Sequence, residues 1–432
     1  MNCSKLLLLL LLVPFAASSL PAADSGELVP AQECRPRGGV PRFLEKTQRN
    51  AGELRVAYLG GSITAQPGWR LLSLEFLRTQ FPGVKFSEVN AAIGGTGSDL
   101  GVFRLQQDVL DHQPDLLFVE FAVNDGGAAP DQIVRSMEGI VRQTRRTLPG
   151  ADVVFVYTIT EALVPPLLEG KFPRAASVME RVADHYQIPT IHLGMEVARL
   201  AKDGKLAWKA PLPKTDEQRK QLGDVLVFAP DGVHPHVETG HRLYLEAIER
   251  SWPAIQTAST STVDRPLVEP LDSNNYERAQ LIPFSRLNPP ADFERLDPVA
   301  DPFGRRWAIR MTSLHRATKP GTTLTFRFRG THAAIYDLLG PDCGQVIVTL
   351  DDRPPRIVPR FDSYCTYHRL ATLQIGADLP DAEHTVRIEL HPDQPDKAAI
   401  LATRNNHIDD PARYNGTAFY PGALLVIGDL CP

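Results

Sequence analysis

Long apolar runs are scarce in this sequence. The apolar run at residues 6–13 falls far short of the roughly 20 residues that cross a bilayer and no later stretch approaches that length, so no stable membrane association is expected. Positive charge is also in short supply: 46 Lys and Arg against 51 Asp and Glu leave a formal charge of −5, and with it no basic footprint for nucleic acid. Cysteine is sparse, at five in 432 residues. Once Cys3 leaves with the leader, Cys34, Cys343, Cys365 and Cys431 allow three full pairings. Cys343 with Cys365 is the favoured pair, both lying in one β-rich region, and four packed, reduced thiols are the alternative.

What is present begins with a leader. Lys5, the apolar run and the small residues from Ala16 to Ala23 read as a cleaved export signal over 1–23, with an uncleaved anchor as the alternative. The mature protein is therefore expected in the periplasm or outside the cell. The remaining length exceeds one compact core and implies two folded units. After an N-terminal extension, 24–50, residues 51–252 alternate short apolar runs with longer amphipathic ones, the pattern of an α/β domain with a parallel sheet and crossover helices. Strands are expected at 54–59, 85–90, 116–121, 153–157 and 190–193. Helical core stripes fall at Leu72, Phe76 and Leu77, at Ile133, Met137, Ile140 and Val141, and at Val178 and Val182. Residues 253–283, rich in Pro, Ser, Thr and Asp, read as a linker or an extended wrap. Beyond it, 284–432 carries strand-like runs at 323–328, 333–338, 346–350, 368–375, 384–390 and 423–427, which predict an antiparallel β-sandwich or jelly roll.

Residues with chemistry to offer concentrate in four short blocks. Gly60-Gly61-Ser62-Ile63-Thr64 leaves the carboxyl end of the first strand, where open α/β sheets hold their ligands. Small neighbours let an acyl carbonyl reach the Ser62 hydroxyl, and the Ser62 amide can face a developing oxyanion. Asn90-Ala91-Ala92-Ile93-Gly94-Gly95-Thr96-Gly97 follows the second strand with backbone N–H groups to donate, and Asn124-Asp125-Gly126 follows the third with a side-chain amide. Asp231-Gly232-Val233-His234 sets a carboxylate three residues before an imidazole, close enough to orient the ring while it accepts a serine proton. Taken singly, the first three blocks read equally as turns, and the last as a helix entry or as a metal site of Asp231, His234, His236 and His241. Occurring in order at one end of one sheet, they read together as a nucleophile with its base and oxyanion donors.

In these blocks the chain resembles the SGNH hydrolases, also called GDSL-type esterases, over about 200 residues, 54–252. Gly60-Gly61-Ser62 looks like the nucleophile block, Gly95 like the glycine of the second, Asn124 like the asparagine of the third, and Asp231 to His234 like the last. The resemblance implies a three-layer flavodoxin-like domain, a shallow site with no metal or cofactor, and ester hydrolysis through an acyl-enzyme. Ser62, Asp231 and His234 would be catalytic, with the amides of Ser62 and Gly95 and the Asn124 side chain as the oxyanion hole. The pattern departs at Gly61, where the family name implies aspartate; such a glycine is familiar among exported members that look like carbohydrate esterases and counts against a lipase. Export and an appended β domain point to an O-acetyl ester on an extracytoplasmic polysaccharide, or to a small ester. A lysophospholipase or thioesterase on the same scaffold is one competing class, and a carbohydrate-binding or structural protein with an inactive hydrolase domain is another. Trp69 and Arg70 are candidate acyl-pocket residues, with helix packing and a surface ion pair as their alternatives. Trp307, Tyr336, Tyr364, Tyr367, Tyr414 and Tyr420 are candidate sugar-stacking or core aromatics, and 202–226 reads as a lid or a surface loop.

Overall fold

The computed structural model describes residues 27–49, 52–260 and 267–432. The expected leader at 1–23, with Cys3, lies outside the described residues, as does 261–266 of the expected linker segment. Six strands form the first sheet: β1 (Cys34–Arg35), β2 (Glu53–Gly60), β3 (Lys85–Ala92), β4 (Leu116–Glu120), β5 (Asp152–Tyr157) and β6 (Thr190–His192). Their order is β1-β6-β5-β4-β2-β3, parallel except for the short β1 at the edge. All five expected strands are present. β1 was not anticipated, because two residues carry no periodicity.

The helices needed below are α1 (Pro41–Gln48), α2 (Ser62–Ala65), α3 (Trp69–Gln80), α4 (Ser98–Asp108) and α5 (Pro130–Thr147). α4, α5 and Arg174–Tyr186 pack side by side, while α3 packs with Gly240–Ala258. With helices on both faces, β4 and β5 are buried at every residue, which is why they read as unbroken apolar runs. The α5 stripe of Ile133, Met137, Ile140 and Val141 is fully buried, and each such side chain contributes about 1.5–3 kcal/mol. Gly240–Ala258 continues through Pro253 past the expected end at Trp252. Trp252 and Ile255 are both buried there, and their packing outweighs the hydrogen bond that proline cannot make. Among the described residues no helix is long and apolar enough to cross a membrane.

Strand register determines where the functional loops emerge. Gly60, the last residue of β2, pairs with Ala92 on one side and Glu120 on the other. The three loops that leave β2, β3 and β4 therefore start side by side.

The C-terminal domain is an antiparallel sheet in the order Arg356–Pro359, Gln345–Leu350, Ala382–Leu390, Thr323–Leu339, Tyr420–Leu430 and Ala279–Pro283. The runs expected at 323–328 and 333–338 are one strand, Thr323–Leu339. A register shift between Gly330 and His332 absorbs the break between the two runs. Its first half pairs with Ala382–Leu390 and its second with Arg369–Gly376. Trp307, Tyr336, Tyr414 and Tyr420 are buried core residues, whereas Tyr364 and Tyr367 are exposed. The four thiols are free, contrary to the favoured pairing. Cys343 Sγ instead faces Leu338 O at 3.6 Å, and Cys365 Sγ faces Asp362 Oδ1 at 3.4 Å.

Between the domains, 267–278 is an extended wrap strapped to α5. Glu138, fully buried, accepts from the Leu271 amide at 2.6 Å, the Asp272 amide at 3.0 Å and the Tyr186 hydroxyl at 2.6 Å. Arg135 reaches Asp272 and Arg142 reaches the Val268 carbonyl, both at 2.7 Å. Phe103 of α4 packs against Tyr276 and His332, joining the two cores. Glu138→Ala leaves three donors unpaired, at about 1–3 kcal/mol for each one that stays buried. Scanning calorimetry should register a fall in Tm of roughly 5–10 °C, and a shift under about 2 °C would show the strap to be dispensable.

Candidate active site

β2 ends at Gly60 and the chain turns at once into α2, which Ser62 opens. A buried carboxylate lies beneath this turn. Glu120, the last residue of β4, is wholly buried and accepts from Thr64 Oγ1 at 2.8 Å and Thr158 Oγ1 at 2.7 Å, with the Gly61 amide as a third donor. Burial raises its pKa, and the three donors offset that only in part. Glu120 was missed in the sequence, although one acidic residue inside an otherwise apolar buried strand was the available signal.

Opposite Ser62 stands the 231–234 loop. His234 Nε2 lies 2.8 Å from Ser62 Oγ, and His234 Nδ1 lies 2.6 Å from Asp231 Oδ2. The other carboxylate oxygen, Oδ1, accepts from the amides of Val233 at 2.9 Å and His234 at 2.8 Å, which fixes the loop in this turn. Partial burial raises the Asp231 pKa, yet the His234 amide, the His234 ring and the Val233 amide together hold it at about 2. Asp231 is therefore an anion throughout the working pH range. It holds the ring with Nδ1–H toward itself and leaves Nε2 free to accept the Ser62 proton.

The 94–97 loop and the Asn124 turn lie next to this serine segment. A Cβ built on Gly94 would sit 3.4 Å from Ser62 Cβ, so the loop after β3 lies directly against the nucleophile. Gly95, next in the chain, has φ +76°, a conformation that favours glycine. A Cβ on Gly61 would come 2.0 Å from Asn124 Oδ1. The Asn124 side chain thus occupies the space beside Gly61, which explains why no larger residue stands before Ser62.

Two candidate residues belong elsewhere. Trp69 is wholly buried in contact with Tyr58 and Phe118, at ring distances of 5.4 and 6.0 Å, so helix packing is its role. Arg70 is buried too, paired with Glu88 and donating to Thr64 O at 3.0 Å, where it braces the end of α2. This ion pair is buried rather than on the surface. The potential metal ligands are drawn to separate partners. His236 meets Ala210 O at 3.0 Å, and His241, wholly buried, accepts from the Trp69 amide at 3.1 Å and faces Gln66 Oε1 at 3.2 Å. Burial, with the nearby His234, lowers the His241 pKa to about 4, which keeps it neutral. Of the 202–226 segment, Leu206–Lys209 and Leu226–Ala229 pair in parallel across an exposed helix, Asp216–Leu222.

Gly61→Ala should push the Asn124 side chain aside. Loss of one oxyanion donor is expected to lower kcat on an aryl acetate by about 100-fold. Gly126→Ala, where a Cβ would meet nothing within 4 Å, serves as the control and should stay near wild type. Equal activity of the two variants would remove Asn124 from the oxyanion hole.

Two solved structures resemble the whole chain. One is a two-domain esterase (CEX) active on acetylated mannans, with a TM-score of 0.67 and 20% identity, covering 91% of this chain and 97% of that one. The other is the same kind of esterase co-crystallised with mannopentaose, with a TM-score of 0.65 and 21% identity, covering 92% and 97%. At such identities the likeness concerns the two-domain fold. No curated protein matches the chain. Residues 58–243 match the GDSL-like lipase/acylhydrolase family, a span that runs from β2 through Ser62, Asn124 and His234. Over this span the α/β domain is similar to the GDSL-like lipase/acylhydrolase family, and the protein is a carboxylic ester hydrolase.

Proposed function

We propose that this hydrolase removes O-acetyl groups from an extracytoplasmic polysaccharide through an acyl-enzyme on Ser62. The observation that carries the mechanism is the unbroken chain from Asp231 through His234 to Ser62 Oγ. Ser62 Oγ attacks the acetyl carbonyl carbon as His234 Nε2 takes its proton. The carbonyl oxygen becomes negative and is held by the amides of Ser62 and Gly95 and the Asn124 side chain. The bond to the sugar oxygen then breaks, His234 returns the proton to that oxygen, and the acetyl group stays on Ser62. Water repeats the sequence: His234 takes its proton, the acyl–Oγ bond breaks, and acetate leaves as Ser62 is reprotonated.

Two features favour a polysaccharide substrate. The fold matches, along nearly its whole length, that of an esterase active on acetylated mannans. A cavity of about 470 Å³ between β3 and the 309–312 segment of the C-terminal domain is lined by Asn90, Ile93, Gln107, Asp108, Arg310 and Thr312 among others, and Ile93 immediately precedes the 94–97 loop. Export on the 1–23 leader, a hydrolase over 51–252 and a β domain over 284–432 joined by 253–283 belong to the same reading.

The test compares the mature protein with Ser62→Ala on acetylated mannan, acetylated xylan and an aryl acetate. Acetate release from a polysaccharide, lowered at least about 10⁴-fold in kcat by the substitution, is expected. Release that persists in Ser62→Ala would overturn the nucleophile. Cleavage of the aryl ester alone would overturn the polysaccharide, and a preference for longer acyl chains would then favour a lysophospholipase or thioesterase.

A further inference from the structure

One buried carboxyl group in the Asn124 turn takes no part in this scheme. Asp125 follows Asn124 directly and is 3% exposed. Its Oδ1 accepts a hydrogen bond, at 3.0 Å, from the amide of Ser98, the residue that follows the 94–97 loop and opens α4. The loop approaches so closely that a Cβ on Gly97 would lie 2.4 Å from the same oxygen. Oδ2 is buried with no hydrogen-bond partner among the described residues.

These contacts join two loops that are distant in sequence. Gly95 stands on the loop after β3 and Asn124 on the turn after β4, and each is to donate to one small oxygen atom. Displacements well under 1 Å matter at such a site, because donors must lie within about 2.7–3.1 Å of the oxyanion. We propose that Asp125 is a positioning residue whose carboxyl group ties the 94–97 loop to the Asn124 turn and so sets the spacing of the Gly95 and Asn124 donors. This inference rests on the reading of Ser62 as the nucleophile.

The neutral form of the carboxyl is the one that suits this task. Ionisation would put a charge into a buried site where Oδ2 has no hydrogen-bond partner among the described residues. Burial pushes the Asp125 pKa up to about 7, and the Asp99 and Glu120 carboxylates push the same way, while the Ser98 hydroxyl and amide pull it back. Those acids face it from α4 and β4. On the next stretch of chain, Arg174 binds the carbonyls of Gly126 and Ala128. Because the folded pKa is raised, the neutral clamp and its contribution to stability are complete at low pH and are lost as pH rises through about 7.

The experiment measures kcat and KM of the full-length mature protein on an aryl acetate across neutral pH, for wild type, Asp125→Asn, Asp125→Ala and Ser62→Ala. Asp125→Ala is expected to lose about 100-fold in kcat with KM little changed. Asp125→Asn keeps an acceptor toward Ser98 and no longer ionises. It should restore kcat to within about threefold and lack the decline above pH 7 that wild type shows. An asparagine variant that keeps the wild-type decline, or an alanine variant with wild-type kcat, would overturn the clamp. Should Asp125→Ala fail to fold, the asparagine profile decides alone. Turnover that needs Ser62 but ignores Asp125 refutes only the clamp, whereas turnover that survives Ser62→Ala refutes the nucleophile, and the clamp with it.

Discussion

The parallel pairing of β2 between β3 and β4 is the constraint on which the rest of the site depends. With Gly60 level with Ala92 and Glu120, three chain segments far apart in sequence leave the sheet at one height. Ser62, the 94–97 loop and Asn124 can then surround one point without any of them leaving its own short loop. A slip of one strand would turn every side chain of that strand to the opposite face and scatter the group. Only the base arrives from elsewhere, on the 231–234 loop ahead of Gly240–Ala258, and it is held by bonds within that loop.

Carboxylates around Ser62 show how environment separates residues of similar chemistry. Asp231, half exposed and bonded by two amides and the imidazole, remains an anion and stabilises His234 as it gains a proton. Glu120, enclosed under the nucleophile turn, spends its lone pairs on Thr64, Thr158 and the Gly61 amide and acts as a brace. Arg70 supports the same turn from the other side through Thr64 O. The position of the Ser62 hydroxyl is thus set by buried polar groups that never meet substrate, a costly arrangement in stability that catalytic precision requires.

What could be read from the sequence, and what could not, follows from the range of the interactions. The five core strands were legible because burial on both faces writes continuous apolar runs, and the four site blocks because chemistry demands Ser, Gly, Asn and an Asp-His pair at strand ends. Trp69 and Arg70 misled by proximity: seven and eight residues beyond Ser62 the chain has already entered α3, whose face points into the core. Glu120 and Asp125 act through partners 27 to 56 positions away, contacts that no local pattern records. In the C-terminal domain, the runs at 323–328 and 333–338 were expected as separate strands and form one long strand with an irregularity after Gly330. The Cys343 and Cys365 pairing rested on both lying in one β-rich region, and each thiol found a carbonyl or carboxylate instead.

The two domains are joined by a wrap that Arg135, Glu138 and Arg142 of α5 bind. The chemistry proposed for the site is that of a serine made nucleophilic by one imidazole. Its most direct test is covalent labelling with an aryl dialkyl phosphate, followed by peptide mass spectrometry. A single adduct on the Ser62 peptide, formed far more slowly in His234→Ala, is the predicted result. An adduct on another residue, or an undiminished labelling rate without His234, would contradict it.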